Sequence, residues 1–191
     1  WGGLAEDGNS AGQAAPLPSS GRILIDGGGF FSAAFDVGES IVSPALTDNR
    51  APCLDAVINS HPDMDHLGGL IYILRHFTVG AYMRNSDAPP PSLDRPLAAA
   101  LARRELPVRI LAAGQRVDLG PQLSLDVLWP PEDPAGEAGD KDRNSASLVL
   151  RLVWQGKPLL LACGDAEASS LRSILRGGEN PGAQVLVLPH H

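Results

Sequence analysis

The sequence predicts an α/β protein, with sheets and helices in layers and loops collected at the strand ends. Two observations predict it. Short runs of Val, Ile and Leu stopped by Gly, Asp or Pro alternate with longer segments of helical period, and elements mixed in this order bury their apolar faces against one another. The second observation is size: 191 residues, 43% hydrophobic and 19% charged, suit one ordinary domain with a real core.

Residues 1–20, rich in Gly, Ala, Pro and Ser, have no hydrophobic period and read as a flexible lead-in, so the domain is expected over 21–191. The first strand is RILI, Arg22 to Ile25, stopped by Asp26 and three glycines. From Val37 to Leu46, apolar residues at Val37, Ile41, Val42, Ala45 and Leu46 make one helical face, limited or kinked by Pro44. Leu54 to Asn59 is the next strand, and a helix is expected from near His66 through LGGLIYILRHF. Pro89 to Pro91 mark a loop, and the Ala/Leu/Arg content of Ser92 to Glu105 predicts a second helix.

Strand and turn alternate thereafter: VRILAAG, LSLDVLWP, then a polar segment from Pro130 to Asp142. Ser147 to Trp154 and Pro158 to Ala162 are expected as a hairpin closed at Gln155-Gly156. A helix follows over Glu167 to Leu175, and a last strand, QVLVL, runs into Pro189-His190-His191. No internal repeat is visible.

Composition excludes several classes. The net charge of −7, from 15 basic and 22 acidic residues, leaves no electrostatic footprint for autonomous nucleic-acid binding; Arg103, Arg104 and Arg109 form the main basic cluster. No apolar run approaches the roughly 20 residues that span a bilayer, and the first residues lack the pattern of a signal peptide. Cys53 and Cys163 lie beside or inside apolar runs, where a buried free thiol is the expected state.

The chemistry is concentrated in SHPDMDHLGG, Ser60 to Gly69, where two histidines and two aspartates fall within six residues. One such residue alone reads as ordinary structure: Asp65 as a helix cap, Pro62 as a turn former, each histidine as a satisfied polar group. Four together, ahead of Gly68-Gly69, point to metal. Imidazole and carboxylate bind divalent cations, which lower the pKa of water toward neutrality; a turn that aims His61 and Asp63 one way and Asp65 and His66 another suits two ions roughly 3.5–4 Å apart. One loop cannot complete such a centre. Asp165 stands at the tip of the apolar strand LLLACGD, where a carboxylate can bridge two ions, and the last strand ends in His190-His191.

With these residues the chain resembles the metallo-β-lactamase superfamily, whose signature is H-x-[HD]-x-D-H. Within it the chain is most similar to the C-terminal domain of the ComEC family, bacterial competence channels that internalise DNA. The segments ILIDGGG, LDAVINSHPDMDHLGGL, NSASLVLRL and LLLACGDAE through VLVLPHH carry the likeness across nearly all of the chain after residue 21. Asp63 in place of the commoner histidine, together with the terminal His-His, narrows it toward ComEC.

The resemblance implies a four-layer αββα sandwich, here trimmed at both ends, since the opening V-G-Q-G-D turn and the segment beyond His-His are absent. It implies two divalent metal ions: His61 and Asp63 on one, Asp65 and His66 on the other, Asp165 between them, and His191 as the final ligand with His190 on the substrate phosphate, although the order of the last two stays open. It implies that Asp26 braces the metal loop and that Asn144 and Ser147 contact substrate; read as residues alone, these two serve equally as turn and strand-start positions. The superfamily's third-motif histidine has no counterpart, because His76, the histidine of that interval, falls mid-helix. The first ion is left an oxygen-rich set that favours Mn²⁺ over Zn²⁺.

The activity these expectations describe is a metal-dependent phosphodiesterase, a nuclease degrading DNA during uptake, with Asp65 also orienting or deprotonating the attacking water. The alternatives are a hydrolase of small esters, thioesters or lactams on the same fold, and a non-catalytic module of a DNA channel. The resemblance also implies DNA and the remaining domains of a parent channel as partners. It implies a soluble domain on the extracytoplasmic side of a protein integral to the cytoplasmic membrane.

Overall fold

The computed structural model describes residues 21–30, 34–132 and 143–190. The expected lead-in, most of the polar segment after Pro130, and His191 lie outside them. Among the described residues no helix is long and apolar enough to cross a membrane.

The first half of the chain builds a parallel sheet from β1 (Ile23–Ile25), β2 (Cys53–Asn59), β3 (Thr78–Arg84) and β4 (Val108–Ile110), in that spatial order. Parallel neighbours need crossovers. These are α1 (Ser43–Thr47), α2 (Met64–His76) and α3 (Pro91–Ala102). The second half builds a mixed sheet, β5 (Arg116–Gly120), β6 (Leu123–Trp129), β7 (Val149–Trp154), β8 (Lys157–Ala162) and β9 (Val185–Val187), antiparallel until β9 joins β8 in parallel. Helix α4 (Ala168–Arg176) connects β8 to β9.

Strand alternation sorts the apolar side chains into three cores. Val57 and Tyr82 face α2 and α3, meeting Leu67, Leu70, Ile73, Leu93 and Leu97. Their strand neighbours Ala56, Ile58, Ala81 and Met83 face the other way and pack between the sheets against Val117, Leu125, Val127, Leu148 and Leu150. Val149 and Leu161 point to the outer face of the second sheet, where Leu171 and Ile174 of α4 cover them. The layers are therefore α, β, β, α, as expected.

Several boundaries differ from the sequence reading. Helix α2 begins at Met64, because the carbonyl of Asp63 already accepts the amides of His66 and Leu67. The segment before β2 is a π-turn over Gly38–Val42 that runs into the short α1. Pro44 sits in the first turn of α1, where its missing N–H costs nothing. VRILAAG is strand only to Ile110. Strands β3 and β5 were not anticipated: Thr78, Gly80 and Arg84 break the apolar run of β3, and Arg116 and Asp118 that of β5, yet Ala81, Tyr82 and Met83, like Val117 and Leu119, are buried in the core. Cys53 and Cys163 are free thiols, the first half-buried and the second buried.

Candidate metal centre

The site forms where β1, β2 and β8 end and α2 begins. Glycine brings the backbones together. The amide of Gly27 donates to the carbonyl of His66 at 2.8 Å and that of Gly69 to the carbonyl of Gly28 at 2.8 Å. A Cβ on Gly27 would lie 2.6 Å from the Leu70 amide, and one on Gly69 would collide with the Gly27 carbonyl. The three glycines after β1 and the pair inside α2 are thus two halves of one close backbone contact, which fixes the first turn of α2 against the end of the sheet.

Asp26 occupies the left-handed region at φ 57°, uncommon for a residue with a side chain. That turn aims its carboxylate under the loop. Oδ1 accepts the Ser60 amide at 2.8 Å; Oδ2 accepts the Ser60 hydroxyl at 2.7 Å and His66 Nδ1 at 2.8 Å. Burial opposes its charge, but the hydrogen bonds from His66 and Ser60 together hold the carboxyl below the usual range. Asn59 ties the same loop by donating to the His61 carbonyl at 2.7 Å.

The two histidines sit side by side, their ring centroids 4.1 Å apart. The Ser60 hydroxyl donates its one O–H to Asp26 Oδ2 and is left to accept from His61 Nδ1 at 3.1 Å. His61 Nε2 then carries the lone pair, and it is buried with no hydrogen-bond partner among the described residues. Burial, with His66 beside it, pushes the His61 imidazole down and keeps it neutral, the form that binds metal. Asp63 Oδ2 and Asp165 Oδ2 each lie 3.8 Å from Nε2.

Both nitrogens of His66 face carboxylate oxygens, Asp26 at 2.8 Å and Asp165 at 3.0 Å. Only a doubly protonated ring donates to both. Burial disfavours that charge, yet Asp26 and Asp165 outweigh it and push the imidazole up to about 9. Asp165 itself is buried, held by its backbone amide on Ser147 Oγ at 3.3 Å. His190 Nε2 lies 3.1 Å from Asp165 Oδ2 and 3.2 Å from Asp65 Oδ2. Donor atoms of Asp65, His66, Asp165 and His190 all fall within 4.8 Å of one another.

A divalent ion fits this donor set. Three carboxylates and three imidazoles converge above Asp26, His61 Nε2 is orphaned in the interior, and His66 Nε2 meets the buried Asp165 with a proton where a cation can stand. Asp63, at the N-cap position of α2, makes no side-chain cap and instead turns its carboxylate toward His61.

The structure brings together His61, Asp63, Asp65, His66, Asp165 and His190, with Asp26 beneath them. His190 lies within the donor set itself; His191 lies outside the described residues. Ser147, expected at the substrate, is fully buried and braces Asp165 instead. Asn144 belongs to a 3₁₀ turn, Arg143–Ala146. His76 closes the far end of α2, its Nδ1 on the Tyr72 carbonyl at 2.9 Å. Sequence reasoning missed Ser60, the hub between Asp26 and both imidazoles, and Arg143, whose Nη1 meets Asp63 Oδ1 at 3.1 Å. Ser60 directly precedes His61, but only the fold shows its hydroxyl turned inward.

The model of the metallo-β-lactamase superfamily matches residues 18–146. ComE operon protein 3 of Bacillus subtilis is 29% identical over 182 residues, 90% of this chain, which spans 22% of that protein's length. A solved metallo hydrolase from the hyperthermophilic archaeon Ignicoccus hospitalis is 16% identical, covering 56% of this chain and 40% of its own, with a TM-score of 0.35.

Proposed function

The chain belongs to the metallo-β-lactamase superfamily of metal-dependent hydrolases, and on that premise we propose that it is a phosphodiesterase that cuts DNA. One observation carries the reading: Asp63 stands where a histidine would make a zinc-like site, so the first ion would meet one imidazole and two carboxylates, His61 with Asp63 and the buried Asp165. Such a set suits Mn²⁺ ahead of Zn²⁺ and suits phosphate oxygens as partners. The similarity to ComE operon protein 3 supports DNA as the polymer, in a competence setting.

His61, Asp63 and Asp165 would hold one ion; Asp65, His66, His190 and Asp165 the other. Bound there, two divalent cations supply Lewis acidity toward the phosphate and lower the pKa of water. The chain's own residues do the rest. Asp26 orients His66 through Nδ1, and Ser60 fixes the His61 tautomer, so both Nε2 atoms face the centre. Asp65, half-exposed beside His190, is placed to take a proton from the attacking water. Ser147 keeps the Asp165 backbone in position from below.

The 22% share of the relative's length supports a place as one domain of a larger protein, and the resemblance to the ComEC family extends the proposal to the extracytoplasmic side of the cytoplasmic membrane, with the other domains guiding the strand. The test is cleavage of end-labelled linear single- and double-stranded DNA with Mn²⁺, beside Asp65→Ala. Shortening that requires both Mn²⁺ and Asp65 is the expected result; equal cleavage by the variant contradicts the role given to Asp65. Hydrolysis of a thioester or lactam with no action on DNA would move the substrate class.

A further inference from the structure

We infer that Arg143 is the side chain of this protein that grips the substrate phosphate next to the metal centre, an inference that rests on the phosphodiesterase reading. The argument starts from charge. A chain of net charge −7 binds a polyanion only through local cations. Among the described ion pairs, Arg116 and Arg151 are spent on Asp126 in the second sheet, whereas Arg143 meets a residue of the donor set. Of the basic cluster noted in the sequence, Arg104 reaches the Arg75 carbonyl, at the end of α2 opposite the metal loop, and Arg109 lies on the edge strand β4.

The position of Arg143 is built. Its 3₁₀ turn is pinned from three directions although the turn is short. Asn85 Nδ2 donates to the Ala146 carbonyl at 2.9 Å, and Trp129 Nε1 and Ser170 Oγ both donate to the Ser145 carbonyl, at 2.7 and 2.9 Å. From that mount the guanidinium stands one carboxylate away from the centre: Asp63 Oδ1 is on Arg143 Nη1 at 3.1 Å and Asp63 Oδ2 is 3.8 Å from His61 Nε2.

A purely structural role fits less well. The Arg143 side chain is 45% exposed and its partner 33%, and a pair so open to water contributes little to stability. A guanidinium carries five N–H donors in a planar fork, so the contact through Nη1 does not exhaust it. A phosphate lying over His61 and Asp165 comes within reach of the same fork, and bidentate contact would orient the diester as well as hold it.

The experiment compares the metal-loaded protein with Arg143→Gln and Arg143→Lys. Binding of a fluorescein-labelled single-stranded oligonucleotide is measured by anisotropy from about 50 to 200 mM salt, alongside KM, kcat and metal content. The glutamine variant should raise KM about tenfold with kcat changed far less, and lower the slope of log affinity against log salt by about 0.7, the share of one phosphate contact on a single strand. Lysine should restore the slope but only part of the affinity. An unchanged KM and slope in Arg143→Gln, in a wild-type background that cleaves DNA, overturns the inference; so does a variant that loses metal while keeping the slope, which would make Arg143 a holder of Asp63. Binding that depends on Arg143 in a protein that cleaves nothing would leave the phosphate grip standing and overturn the phosphodiesterase reading instead.

Discussion

Asp26 Oδ2 accepts His66 Nδ1 at 2.8 Å across 40 residues of sequence, and this contact decides that Nε2 is the nitrogen of His66 that faces Asp165. Replacing Asp26 with Ala frees the ring to rotate and removes the acceptor for Ser60 as well. Metal affinity should fall by about 10- to 100-fold, the usual effect of losing the group that orients a ligating histidine. Titration of Mn²⁺ into the metal-free variant measures it.

His66 also sets a pH dependence. Without metal its imidazole is pushed up to about 9, above the ordinary histidine value, so its pairing with Asp26 and Asp165 stabilises the metal-free fold. That contribution is fully present below the unfolded-state value, about 6.5, and is lost as pH rises toward about 9. A cation at Nε2 has to displace the proton. Metal affinity should therefore strengthen with pH up to about 9 and flatten above it, with proton release on binding. Calorimetric titration in buffers of different ionisation enthalpy reads both; a pH-independent affinity between 6 and 8 would contradict the pairing on which this rests, since a ring that titrates near about 9 is protonated across that window and must lose its proton to the cation.

The backbone contact beneath the loop gives a third expectation. A methyl on Gly69 meets the Gly27 carbonyl, with the Gly38 amide 3.0 Å away, and neither is the end of a flexible side chain. Gly69→Ala should cost about 1–3 kcal/mol in denaturant unfolding. It should also weaken metal binding, because the first turn of α2 carries Asp65 and His66. Stability equal to wild type would mean that the contact yields without cost.

The metal loop and the strand-tip aspartate were legible in the sequence because the ligands are crowded into six residues and because an apolar strand ending in Gly-Asp announces its own tip. Three strands of the parallel sheet were legible as short apolar runs; β3 (Thr78–Arg84) was not, because Thr78, Gly80 and Arg84 break its apolar pattern. What escaped is what depends on a partner far along the chain. The Ser60 hydroxyl gains its role from Asp26, 34 residues earlier, and Arg143 from Asp63, 80 residues earlier. Ser147 reads as a strand-start residue until Asp165 is folded above it. Strand β5 was hidden because two of its five residues are charged and face outward, a pattern shared with loops.

Whether two divalent cations meet at Asp165 is read from metal content. Loaded with Mn²⁺ and freed of excess by gel filtration, the protein should carry two ions per chain by elemental analysis, and Asp165→Asn should lose both, since this carboxylate faces His61, His66 and His190 alike. Fewer than one ion per chain in the folded wild-type protein, or two ions retained without Asp165, would contradict the account.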